Sequence, residues 1–155
     1  MIVHGDGGRV QLQQKADSFL ITVFAAPAPL RAGLVDVSVL IQNFENDQPV
    51  LDAQVQIILR SESGMTARAE ATRADAKNKL LYATLVNLPE SGPWQIEVEV
   101  KHGASESKVA GILVVAPAWP LFLSYWRLLA LPPFAIALFI LNQRLRSQMS
   151  ARRNR

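Results

Sequence analysis

Apolar residues recur at every second position along several short stretches of the chain, the mark of strands with one buried face. The pattern is plainest from Leu34 to Asn43, where Val35, Val37, Val39 and Ile41 share one face and Asp36, Ser38 and Gln42 the other. From Trp94 to Lys101 it returns, with Trp94, Ile96, Val98 and Val100 inward and Gln95, Glu97, Glu99 and Lys101 outward. Val50 to Arg60 places Ala53, Val55, Ile57 and Leu59 inward and Gln54 and Gln56 outward. Ser18 to Ala25 is rich in β-branched and aromatic residues, and Ala26-Pro27-Ala28-Pro29 ends it, because proline cannot donate to a ladder. Arg9 to Gln14 supplies a first strand with Val10 and Leu12 on one face; Met65 to Ala71, Lys79 to Val86 and Ser107 to Ala116 supply others. Turns fall at Glu45 to Pro49, Ser61 to Gly64, Asn87 to Pro93 and His102 to Ser105, while Thr72 to Asn78 reads as a loop or a short helical turn. Seven or eight short strands without a helical period predict an all-β fold, an antiparallel β-sandwich over residues 9–117 behind a flexible lead-in of residues 1–8.

The pattern changes after Ala118. Trp119 to Asn142 is the one run long and apolar enough to cross a bilayer as a single C-terminal transmembrane α-helix, which takes about 20 residues. Leu128 to Asn142 alone would make about 22 Å of helix, short of the roughly 30 Å hydrocarbon core. The span therefore begins near Leu121 and includes Arg127, whose long side chain can snorkel to the interface beside Trp119, Tyr125 and Trp126. A sharper reading pairs Arg127 with a carboxylate or a lipid phosphate of a partner. Pro132 and Pro133 break the helical ladder in mid-span, and carbonyls freed there call for a neighbouring protein rather than lipid. The expected domains are the sandwich, a helix over 119–143 kinked at Pro132-Pro133, and a tail over 144–155.

Charge divides along the same line. Residues 1–118 hold ten Lys/Arg against thirteen Asp/Glu, whereas residues 119–155 hold six Arg and no acid. The overall net charge of +3 thus belongs to the tail, where Arg144, Arg146, Arg152, Arg153 and Arg155 follow the apolar run. The positive-inside rule puts that tail in the cytoplasm and the β domain outside, in the inner membrane of a cell with a periplasm. Nucleic acid is not expected as a partner. No apolar leader core is visible in Met1 to Gly8, so the sequence leads us to expect a removed leader or a later-than-natural start.

Candidate chemistry is sparse. The chain has no cysteine, which excludes thiolate-held copper, Cys-x-x-C-His haem attachment and iron–sulfur ligation within it. Its two histidines, His4 and His102, are far apart, and Met1, Met65 and Met149 are too scattered for a thioether copper motif. His4 is the one metal candidate: processing that left Ile2 or His4 first would create an amino-terminal copper site, although a solvated His in a flexible lead is the ordinary reading. No Ser/His/Asp or Cys/His set, Walker A, Gly-x-Gly-x-x-Gly or His-Glu-x-x-His motif is present. Tyr82 and Trp94 are expected to fill the core, and Glu97 and Glu99 to be solvated. A catalytic role is not expected.

Gly33 leading into an alternating strand, Pro49-Val50-Leu51-Asp52-Ala53-Gln54-Val55, and Tyr82 followed by Leu88-Pro89, Gly92 and Trp94-Gln95-Ile96 together resemble the YtkA-like domain. The same pieces are similar to the FixH-like and CopC-like immunoglobulin-type sandwiches. The resemblance implies an Ig-like fold and, through the CopC-like relatives, copper near an amino-terminal His; FixH-like proteins carry their membrane helix before the domain rather than after it. The function expected is a non-catalytic single-pass accessory subunit of a respiratory or monooxygenase-type membrane complex, its partners integral-membrane subunits and the lipid bilayer. A membrane-tethered copper-handling module and a stand-alone adhesion or sensor domain are the alternatives.

Overall fold

The computed structural model describes residues 8–119. The chain divides into two compact units, Met1–Ala118 and Trp119–Arg155, and the strands of the described residues all lie in the first. Eight strands build it: β1 (Arg9–Ala16), β2 (Phe19–Ala26), β3 (Gly33–Asn43), β4 (Gln54–Ser61), β5 (Thr66–Ala71), β6 (Tyr82–Leu88), β7 (Gly92–His102) and β8 (Ser105–Val115). They form two four-stranded antiparallel sheets, ordered β1-β2-β3-β6 and β5-β4-β7-β8. Each sheet turns its apolar stripe toward the other, so the two-residue period becomes a two-layer core. Val35, Val37, Val39 and Ile41 of β3 meet Val55, Ile57 and Leu59 of β4 and Trp94, Ile96, Val98 and Val100 of β7 in one buried cluster.

Three elements depart from the sequence reading. Val10 and Leu12 do not share a face, because a bulge at Gln11 pairs Val10 with Phe24 but Leu12 with Val23. One extra residue in a strand reverses every side chain beyond it. Leu12 therefore turns inward over Gly111 of β8, where a Cβ would come within 3.1 Å of it, while Val10 stays half-exposed. Val50 to Ala53 is not strand; β4 begins at Gln54. The backbone of that stretch is taken by Tyr82, whose hydroxyl donates to the Val50 carbonyl at 3.0 Å and accepts from the Ala53 amide at 3.0 Å. β6 likewise starts at Tyr82 rather than Lys79, because residues 72–81 fold back across the outer face of the first sheet.

That covering loop explains why Ser38, on the polar side of β3, is only 3% exposed. Ala76 and Leu81 lie buried with Ala83, against Phe24 and Leu40. The loop holds its shape through Lys79, whose ammonium donates to the carbonyls of Arg73, Ala74 and Ala76 at 3.1, 3.0 and 2.7 Å. Arg73 answers by donating to the Lys79 carbonyl and to the Leu51 carbonyl, both at 2.8 Å. Lys79→Met should leave the sandwich folded but cost about 1 kcal/mol, the scale of an exposed charged hydrogen-bond cluster. Hydrogen exchange would show it as faster exchange at the Leu81 and Ala83 amides with the β7 amides unchanged.

Candidate interaction surface

The two ends of the sandwich differ in chemistry. At the end holding the β1–β2 and β7–β8 hairpins, polar contacts join the sheets. Asp17, at a φ of 52° in the first hairpin, accepts a 2.6 Å bond from the buried Ser107 hydroxyl. His102 sets its ring edge-on to Phe19, with centroids 5.8 Å apart, and places Nε2 3.0 Å from the Asp52 carboxylate. Lys15 lies 3.5 Å over the Phe44 ring. His102 thus ends β7 and fastens the β3–β4 connection, a structural use for the histidine that stands next to a turn.

At the opposite end β8 finishes and the chain leaves the unit. Ala116 donates to the Leu30 carbonyl at 2.9 Å and accepts from the Ala32 amide at 2.8 Å, and Arg31 donates to the Pro117 carbonyl at 3.0 Å. The exit is thereby stapled to the β2–β3 connection as far as Pro117. Around this end four outward positions are apolar: Leu34 on β3, Leu85 on β6, and Ile112 and Val114 on β8 are all at least two-thirds exposed.

Between the two ends, the outer face of the second sheet is a ladder of ion pairs. Arg60 pairs with Glu97 at 2.9 Å and Lys108 with Glu99 at 2.7 Å, and Lys101 and Lys108 reach Glu106 at 3.6 and 3.7 Å. The hydrogen bond from Lys108 holds the Glu99 carboxyl below its ordinary range, and the same bond raises the Lys108 ammonium. A lowered carboxylate stabilises the fold above the unfolded carboxylate range and loses that contribution as pH falls through the folded value. The raised lysine contributes below the unfolded lysine value and loses it as pH climbs through its own. The stability difference between wild type and Glu99→Gln should therefore be largest near neutrality and vanish at both extremes in pH-dependent urea melts. Glu97 and Glu99 need no catalytic explanation.

Shallow depressions lie on the surface, among them one of about 230 Å³ lined by Gln54, Gln56, Glu70, Glu99 and Lys101 and one of about 450 Å³ beside Asp36, Asp75, Lys77 and Leu85. Both walls carry charged side chains on an open surface rather than an enclosed apolar pocket with convergent polar groups. Among the described residues no three His, Cys, Asp or Glu side chains stand together in a way that could hold a metal, and no helix is long and apolar enough to cross a membrane. Of the expected contact residues, Trp119 is described and 59% exposed. His4, Tyr125, Trp126, Arg127, Pro132, Pro133, Arg144, Arg146, Arg152, Arg153 and Arg155 lie outside the described residues.

Tyr82 and Trp94 both belong to the core, and burial pushes the Tyr82 phenol above its ordinary value. Two antiparallel sheets packed face to face, with Trp94 buried between them, define an immunoglobulin-like β-sandwich. A DUF4426 family protein from Pseudomonas aeruginosa shares this architecture: it superposes with a TM-score of 0.55 at 13% identity, over 70% of this chain and the whole of that one. The PKD domain of the human VPS10 domain-containing receptor SorCS2 matches more loosely, with a TM-score of 0.37 at 13% identity over 73% of this chain and 86% of that one. No protein-family model matches the chain, and no curated protein does.

Proposed function

We propose that this protein is a non-catalytic, single-pass accessory subunit of a larger membrane complex, with its Ig-like sandwich on the periplasmic side of the inner membrane. The observation that carries the reading is the apolar run from Leu121 to Asn142, bounded by Trp119 on one side and the tail's five arginines on the other. The adjacent Pro132 and Pro133 add the need for a partner, because lipid cannot satisfy the carbonyls they free. A respiratory or monooxygenase-type assembly is the class of host that fits an extracytoplasmic sandwich without chemistry of its own. Kinship with the YtkA-like, FixH-like and CopC-like domains belongs to the same proposal. Its support is positional: the Pro49 to Val55 motif is the connection Tyr82 fastens, and the Leu88 to Trp94 motif is the β6–β7 turn.

The test is extraction of native membranes in mild detergent, followed by pull-down on this chain. Alkaline carbonate should leave the chain in the membrane pellet, and stoichiometric recovery of a multi-subunit oxidoreductase would name the host. Recovery as a lone monomer would sink the subunit reading. Copper titration of wild type against His4→Ala would then decide for or against the metal-handling alternative.

A further inference from the structure

The apolar side chains left in solvent at the exit end are grouped rather than scattered. Leu34, 70% exposed, and Leu85, 67% exposed, are diagonal neighbours on β3 and β6, where Leu34 pairs with Asn87 and Asp36 with Leu85. Ile112, 67% exposed, and Val114, 74% exposed, follow one another on the outer face of β8, opposite Gln95 and Pro93. Each of the four is no more than three residues from the end of its strand, within about 10 Å of that end at a strand's rise. The two pairs face outward from opposite sheets, so they flank the exit on both sides.

The chain allows this end little freedom. It is fastened through Pro117, and the apolar run begins near Leu121. Four residues of extended chain reach at most about 14 Å. The interfacial layer on each side of a bilayer is on the order of 5–8 Å thick, from total and hydrocarbon thicknesses. A domain tethered so closely brings its exit end to the lipid surface. A docked protein would call for one contiguous apolar face, whereas a lipid layer touches both faces of an end at once.

We propose that Leu34, Leu85, Ile112 and Val114 form a lipid-binding collar that seats the exit end of the sandwich in the headgroup layer of the bilayer. The proposal rests on the membrane-span reading above. Glu62 and Glu90 occupy turns at the same end, Glu90 accepting a 2.6 Å bond from Ser63, and Arg31 and Arg60 stand there as well, so the end carries charge of both signs and suits a zwitterionic surface. The Lys108–Glu99 and Lys101–Glu106 pairs, nearer the far hairpin, stay in water.

The absence of cysteine makes the test direct. Full-length single-cysteine variants Leu34→Cys, Ile112→Cys and Val114→Cys carry an environment-sensitive fluorophore and are reconstituted in phosphatidylcholine vesicles. Ala104→Cys, in the hairpin at the far end, and Ala137→Cys, within the apolar run, serve as references. Collar positions should emit to the blue of Ala104→Cys and be quenched by lipids spin-labelled near the headgroup. Water-like emission at the collar with deep-lipid quenching at Ala137→Cys would overturn the collar and leave the span standing. Water-like emission at Ala137→Cys would remove the span and the collar together. Blue-shifted emission at the collar without lipid quenching would assign a protein cover, such as a second copy, and overturn the lipid assignment.

Discussion

Trp94→Ala should destabilise the sandwich by about 3–5 kcal/mol, the range for removing a buried aromatic. That is a large share of the roughly 5–15 kcal/mol that holds a domain together. Trp94 is 1% exposed and sits on β7 opposite Ser61 of β4 and Leu113 of β8, among the largest fully buried side chains of the core. Its indole also donates to the Glu90 carbonyl at 3.1 Å, which ties the β6–β7 turn to the core. Trp94→Phe separates the two contributions: it keeps much of the packing and loses the bond, and should fall well short of the alanine variant. Urea melts followed by far-UV circular dichroism would measure both. An alanine variant that unfolds at the wild-type midpoint would mean that this side chain is not the centre of the core.

Tyr82→Phe should cost about 1–3 kcal/mol although it removes a single oxygen. The ring would stay in the core, but the Val50 carbonyl would lose its donor and the Ala53 amide its acceptor. Loss of a partner from a part-buried backbone group exposes the cost of its desolvation, which is the reason for the size of the effect. The change should also be local: amides from Leu51 to Gln54 should exchange faster while those of β7 do not. An unchanged exchange pattern would mean that Arg73 and His102 hold the connection without Tyr82, through Leu51 and Asp52.

The readability of the fold varied by element for physical reasons. β3 and β7 were legible almost residue by residue, because both lie inside their sheets and the two-residue period is strict where one face is sealed. β1 was legible as a strand but not in phase, since nothing in Arg9-Val10-Gln11-Leu12 announces a bulge. Val50 to Ala53 continues the alternation of β4, and partners far along the chain, the Tyr82 hydroxyl and the Arg73 guanidinium, take its backbone groups instead of a neighbouring strand. Ser38 reads as a solvated position until the loop of residues 72–81 is folded over it. The ion pairs of Glu97 and Glu99 needed the register of β4, β7 and β8 before Arg60 and Lys108 could be named.

By itself the sequence determined the all-β sandwich, through its period, together with the inward identities of β3, β4 and β7 and the expectation of a membrane span and a cytoplasmic basic tail, through composition. Those properties depend on neighbours along the chain, where spacing and charge are directly written. The tertiary structure alone decided the inward turn of Leu12, the cover over Ser38, the clamps on the β3–β4 connection, and the placing of Leu34 and Leu85 on one sheet and Ile112 and Val114 on the other at the same end. These rest on contacts between residues tens of positions apart, which two sheets packed face to face create and no local pattern encodes.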